Sequence, residues 1–294
     1  MPSSPSSLPQ VVVTRPQPEA QAWVDALTAR GVNALALPLI EILPSRHGAA
    51  LALVAQGLAR FQALMFVSAP AVVHFFAAAG PLDAAHAWHA WATGPGTAKA
   101  LQHAGVDAAR IDLPAADADQ WDSEALWAQV RHQVESAPRA SPGRNGLTRD
   151  EPRYAPRHVL IVRGSDAQGH SAGRDWLAQQ LQAAGVQVET AVAYERHVPQ
   201  WTDAQRVSAE QAVAPSQDGG DAPARSPAAA VWVFSSSEAI TNLQKLVPAL
   251  RWARARAVTT HPRIAQAARD AGIGVVCESR PGLEAVLASI KSLT

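Results

Sequence analysis

Residues 11–16 read Val-Val-Val-Thr-Arg-Pro, and residues 159–164 read Val-Leu-Ile-Val-Arg-Gly. Each is a short apolar run, rich in β-branched residues, that breaks at an arginine and gives way to a helical pattern. That is the signature of a buried strand leading through a turn into a helix. After the first run, Trp23, Leu27 and Arg30 keep helical spacing as far as Gly31-Val32. After the second, Trp176, Leu177 and Leu181 do the same as far as Gly185-Val186. A glycine there closes a helix, because it adopts the left-handed conformation without a Cβ clash. The first quarter of the chain thus recurs in the third.

A second pair follows the same logic. Phe66-Val67-Ser68, with Thr93-Gly94-Pro95-Gly96-Thr97-Ala98 and Ala104-Gly105-Val106, recurs as Phe234-Ser235-Ser236, with Thr260-His261-Pro262-Arg263-Ile264-Ala265 and Ala271-Gly272-Ile273. Even the closing helices match, Ser123-Glu124-Ala125-Leu126 against Gly282-Leu283-Glu284-Ala285. Repeated strand–helix units predict an α/β protein of two similar doubly wound, flavodoxin-like lobes with parallel sheets and right-handed crossovers. A chain of 294 residues has the length for two such cores. Ligands of these folds bind beyond the carboxyl ends of the strands. Thr14-Arg15, Ser68, Thr93 to Thr97, Arg163-Gly164, Ser235 to Ser237 and Thr260-His261 all fall there.

Between the repeats, Val32 to Leu43 is an apolar run broken by Pro38, which suits a strand that leaves one sheet and bends away. Helices are expected from Ala49 to Arg60, from Pro70 with Val72, Val73, Phe75 and Phe76 on its apolar face, and from Glu124 to Val134. A helix is also expected from Ala98 to Gly105, and a strand from Val186 to Ala193 with Tyr194 at its end. Residues 1–10 read as a disordered lead-in, and residues 136–157 and about 208–227 as flexible insertions, rich in Pro, Gly, Ser and charge.

Bulk properties exclude several classes. Lys plus Arg equals Asp plus Glu at 25 each, so no net field draws nucleic acid or an anionic membrane. Cys277 is the only cysteine, which rules out an internal disulfide and a multi-cysteine zinc site. The N-terminus lacks a charged and apolar export pattern, and no apolar run approaches the ~18 residues of a membrane span. The expectation is a soluble cytoplasmic protein.

The motifs weaken the remaining alternatives. Gly94-Pro95-Gly96-Thr97-Ala98-Lys99 has neither the Walker A spacing nor the third glycine of a dinucleotide fingerprint. It reads as a tight turn whose amides and Thr97 hydroxyl face an anion at a helix start, or as a helix cap without a ligand. Ser235-Ser236-Ser237 lacks a nucleophile elbow and reads as donors or caps. His86 and His89 have a metal-sharing spacing but no cysteine or carboxylate cluster beside them, which favours a helix face. Arg15 and Arg163, equivalent in the repeat, either pair with a ligand carboxylate or close the rim by bonding a helix end.

Taken in order, VVVTRP, LPLIEI, MFVSAPAVVHF, ATGPGTAKAL, VLIVRG, VETAVAYER and VWVFSSSEAI resemble the uroporphyrinogen-III synthase family over the whole chain except the lead-in and the two insertions. The resemblance implies lobes formed by crossing the chain twice: residues 11–37 with 197–294, and residues 39–194. It places hinge strands at Pro38 to Leu43 and Val192 to Val198 and a cleft between the lobes. It implies a monomeric, cofactor-free enzyme that cyclises hydroxymethylbilane, a linear tetrapyrrole with eight carboxylates, to uroporphyrinogen III. The supplier, hydroxymethylbilane synthase, would be a transient partner.

Carried over residue by residue, Tyr194 assists departure of the substrate hydroxyl, since a phenol is protonated at neutral pH. Thr97, Ser68 and Ser235 match positions whose hydroxyls or amides face the cleft; with Arg15, Gly94, Gly96, Arg163, Gly164 and Ser236, which lie at the strand ends, they are the substrate-binding candidates. Where many relatives carry a Gly-Pro-Thr-Thr turn, this chain reads Thr259-Thr260-His261-Pro262-Arg263, so that Thr260, His261 or Arg263 would supply the polar contact. The alternative is a cytosolic two-lobed sensor that binds a tetrapyrrole without turning it over.

Overall fold

The computed structural model describes residues 8–80, 87–116, 118, 121–135, 157–170, 175–213 and 230–293. The chain opens with β1 (Val11–Val13), α1 (Glu19–Thr28), β2 (Ala34–Ala36) and β3 (Glu41–Pro44). It continues through α2 (Gly48–Gln56), β4 (Ala63–Phe66), α3 (Ala69–Ala79), β5 (His89–Ala92), α4 (Pro95–His103), β6 (Ile111–Asp112) and α5 (Ser123–Glu135). Next come β7 (His158–Asp166), α6 (Trp176–Ala183), β8 (Gln187–His197) and α7 (Asp203–Ala212). It closes with β9 (Val231–Phe234), α8 (Ser237–Leu246), β10 (Arg256–Thr259), α9 (Pro262–Asp270), β11 (Val275–Glu278) and α10 (Leu283–Ser292).

Two compact units result: Met1–Ile42 with His197–Thr294, and Leu43–Arg196. The first unit holds a sheet of order β11-β10-β9-β1-β2, all of whose pairings are parallel. Its alternation explains its layers. Val11 and Val13 of β1, Val231 and Val233 of β9, and Val258 of β10 pack with Ala20 and Leu27 of α1 and with Val286 and Ile290 of α10. Val12, Trp232, Phe234 and Ala257 point to the opposite face, onto Ala209 of α7, Leu243 of α8 and Ile264 of α9. Apolar residues at successive positions are what a sheet covered on both faces requires.

The second unit holds a sheet of order β3-β8-β7-β4-β5-β6. Ala63, Met65, Trp91, Val159 and Ile161 pack on Leu126 and Val130 of α5 and Leu177 and Leu181 of α6. On the other face, Phe66 meets Phe75 and Phe76 of α3 with ring centroids 5.6 and 5.7 Å apart. Counted from β7, the strand order of this sheet matches the other, with β3 added at the edge.

The repeat is visible in how four helices end. After α1, α4, α6 and α9, Gly31, Gly105, Gly185 and Gly272 take φ of 77°, 90°, 78° and 84°. The amide that follows each of them bonds back to Leu27, Leu101, Leu181 and Ala268 respectively. This is one Schellman ending used four times, and it turns each chain into the next strand.

Several expectations need correction. Leu39 and Ile40 lie in the apolar core of the first unit, so the division falls at Ile42/Leu43 rather than at Pro38. At the other crossing it falls at Arg196/His197, where the returning segment was expected to begin. Leu8 packs on the β1 face and Pro9 is buried, so the end of the supposed lead-in belongs to the fold. Residues 208–212 are helical, because α7 starts in a capping box at Thr202 and Gln205 and buries Ala209 and Ala212. Val73 is 59% exposed and not part of the face that buries Val72 and Phe75. The expected insertions at 136–156 and 214–227 lie outside the described residues, as does His86. Among the described residues no helix is long and apolar enough to cross a membrane.

Candidate active site

In the second unit the polar groups gather around Tyr194. Strand β8 does not stop before this residue, as the sequence suggested, but runs on to His197 and places Tyr194 among buried residues. The register explains its position. Arg163 pairs with Val192, but Gly164 pairs with Tyr194, so Ala193 is an extra residue on β8 and the pair forms a bulge. Directly paired residues project to one face of a sheet, which puts the phenol over Gly164.

The Tyr194 hydroxyl meets the Ser68 hydroxyl at 3.1 Å. Ser68 is the N-cap of α3, and its Oγ accepts the Ala71 N–H at 3.3 Å. With that lone pair engaged, the Ser68 proton is free to point at the phenol oxygen. His74, on the same helix, sets its ring 6.1 Å from that of Tyr194 at an interplanar angle of 29°. Burial holds His74 below the ordinary histidine pKa, which favours a neutral imidazole. No motif singled out His74 in advance. Its place, six residues after the capping serine on an apolar helix, could be recognised only once Tyr194 was located.

The neighbouring loops sort the other candidates. Thr93 donates to the Val67 carbonyl at 3.1 Å and so ties the end of β5 to the loop after β4. Gly94 is the N-cap of α4 in an extended conformation and supplies no side-chain cap to the amides of that first turn. Trp121 lies against Gly94, and a Cβ added there would stand 3.4 Å from the Trp121 Cβ. Thr97 is buried in the first turn of α4, and Gly96 has open space around its Cα. Arg163 is buried and bonds Asp175 at 2.7 Å, the residue ahead of α6. Of the two roles open to this arginine, the contacts fit closure of the rim.

The first unit presents an equivalent rim with different chemistry. Arg15 bonds Glu19 at 2.7 Å and lies 4.2 Å from the centre of the Trp23 ring, again closing its own helix start. Ser236 caps α8 by accepting the Glu238 N–H, and Ser235 is half-buried beside it. Thr260 is buried and its amide bonds the Phe234 carbonyl at 3.2 Å. His261 caps α9, its Nδ1 accepting the Arg263 N–H at 3.0 Å. The ring of His261 therefore caps the helix start that Gly94 leaves without a side-chain cap in the second unit. Buried Thr14 joins β1 to β9 by donating to the Val233 carbonyl at 2.7 Å. His89 bonds Asp112 at 2.9 Å.

The family model described as uroporphyrinogen-III synthase HemD matches residues 21–288. Among solved structures, uroporphyrinogen-III synthetase from Helicobacter pylori is similar at 15% identity, covering 98% of this chain and all of that one, with a TM-score of 0.53. A mutant of uroporphyrinogen III synthase from the extremely thermophilic bacterium Thermus thermophilus is similar at 15% identity, covering 96% and 97%, with a TM-score of 0.51. At that identity the two structures establish the fold. Because the family model spans nearly the whole chain, including the strand that carries Tyr194, the chain belongs to the uroporphyrinogen-III synthase family.

Proposed function

We propose that this chain cyclises hydroxymethylbilane to uroporphyrinogen III and that Tyr194 is the acid of the first step. The electrons of the terminal pyrrole nitrogen expel the hydroxyl of the hydroxymethyl group. The C–O bond breaks, and the oxygen takes the Tyr194 proton and leaves as water. The electrophile so formed is attacked by the last ring through its substituted carbon, and the resulting spiro intermediate reopens and closes with that ring inverted. The proton lost from the ring on closure restores the phenol. No nucleophilic residue enters this sequence, which matches the absence of a nucleophile motif around Ser235 to Ser237.

The observation that carries the reading is the 3.1 Å contact of Tyr194 with Ser68. When Ser68 donates, the relay from the Ala71 amide through Ser68 stabilises the charge that develops on the phenol oxygen, and the phenol proton is left for the substrate. The amides after Gly94 and the Thr97 turn suit a substrate carboxylate. In the first unit, Ser235, Ser236 and Arg263 offer donors of the same kind. Water loss is the easier half of the reaction; the inversion depends on holding a flexible tetrapyrrole in one conformation.

The same reading has the chain acting as a monomer in the cytoplasm, in at most transient contact with hydroxymethylbilane synthase. The test is incubation with freshly generated hydroxymethylbilane followed by isomer analysis of the oxidised porphyrins, with Tyr194→Phe alongside. Isomer III is expected from the native chain, with turnover roughly 10²-fold lower in the variant, the lower range for loss of a general acid. Binding without isomer III would replace the synthase reading with that of a sensor.

A further inference from the structure

We infer that Gly164 is a positioning residue for Tyr194, providing the gap through which the phenol reaches Ser68, and does not itself bind substrate. The inference rests on the reading of Tyr194 as the acid. Tyr194 stands on β8 and Ser68 directly after β4, and β7 lies between those strands. Neighbouring strands are ~4.8 Å apart, so the two outer strands are separated by roughly 10 Å. A tyrosine bridges that span by lying flat across the middle strand, and it crosses at Gly164, its register partner.

The contact is closer than any side chain permits. A Cβ added to Gly164 would stand 2.5 Å from Tyr194 Cε2 and 2.8 Å from Cε1, and closer still to Cζ. Carbon atoms in contact sit ~3.5–4.0 Å apart. Backbone conformation does not explain the glycine, because Gly164 is not among the glycines with positive φ. Space does. The bulge completes the device: in an unbroken register Gly164 would pair with Ala193 and Ser165 with Tyr194, and the tyrosine would fall on the opposite face from Gly164.

The test is Gly164→Ala in native and Tyr194→Ala backgrounds, with a carbon-13 label at the tyrosine Cζ. The sequence has two tyrosines, so two resonances are expected, assigned with Tyr194→Phe. In the native background the added methyl should shift the Tyr194 resonance and lower kcat roughly 10²-fold, matching Tyr194→Phe, with KM unchanged. In the Tyr194→Ala background there is no ring to displace, and Gly164→Ala should add no further loss. An unmoved resonance, or an equal loss in both backgrounds, overturns the inference. If Gly164→Ala alone does not fold, recovery of folding in the double variant supports the gap, and failure of both overturns it. Should Tyr194→Phe keep full turnover, the acid reading fails while the resonance still tests the gap.

Discussion

Strands β1 and β2 of the first unit and β7 and β8 of the second are the same repeat, yet the first two have three residues each and the others nine and eleven. The repeat alignment shows why. Pro16 stands where the second unit has Gly164, and Pro38 where it has Val192. Proline has no amide to continue a ladder, so the first unit's strands stop where the second unit's run on. Everything distinctive about the Tyr194 site, the bulge, Gly164 and the tyrosine itself, lies in that added length.

Restoring a stop is the most severe way to break the contrast. Val192→Pro puts into β8 the residue that ends the corresponding run in the first unit, at a position paired with Arg163 in the sheet interior. The lost ladder bond strands a buried carbonyl at about 1–3 kcal/mol, and the ring adds a steric cost. Isomer III formation should vanish, and the melting temperature should fall by several degrees. Pro38→Val in the first unit should change both far less. Comparable losses from the two substitutions would show that strand length is not what separates the units.

The paired serine caps make a finer comparison. Ser68 and Ser236 each cap the helix that follows the central strand, but among the described residues only Ser68 also meets a tyrosine. Alanine at either position should cost about 1 kcal/mol of stability in denaturant unfolding. Turnover should drop roughly tenfold in Ser68→Ala alone, the scale of one hydrogen bond to a developing charge. If Ser236→Ala lowered turnover as much, the relay through Ser68 would lose its support.

These contrasts mark how far the sequence could be read. Both sheets were legible because apolar runs closed by Arg15 and Arg163, and helices closed by Gly31, Gly105, Gly185 and Gly272, are local patterns set by backbone physics. The capping serines were legible for the same reason. The bulge at Ala193 was not, because a bulge changes pairing without leaving a composition signal. Nor was the partnership of Tyr194 with Gly164 and His74, which depends on register across three strands. The arginines were legible only as a pair of alternatives, a ligand carboxylate or closure of the rim, and each is engaged by its own unit, with Glu19 and with Asp175.

β8 also carries an ion cluster, with Glu189 where β2 has Leu35, and acid should expose it. Glu189 on β8 bonds Arg60 at 2.9 Å and stands 3.6 Å from His158 of β7. Hydrogen bonding from Arg60 holds the Glu189 carboxyl below its ordinary value of 4.5, His158 acts in the same direction, and partial burial opposes them. A carboxyl with a lowered folded pKa stabilises the fold above its unfolded pKa, and that contribution is lost as pH falls through the folded value. Both side chains are about 40% exposed, so screening keeps the contribution within about 1 kcal/mol. Thermal melts of the native chain and Glu189→Gln should therefore differ by a few degrees at neutral pH and converge well below pH 4.5. A gap that persists unchanged in acid would mean that Glu189 acts by packing along β8 and not by its charge.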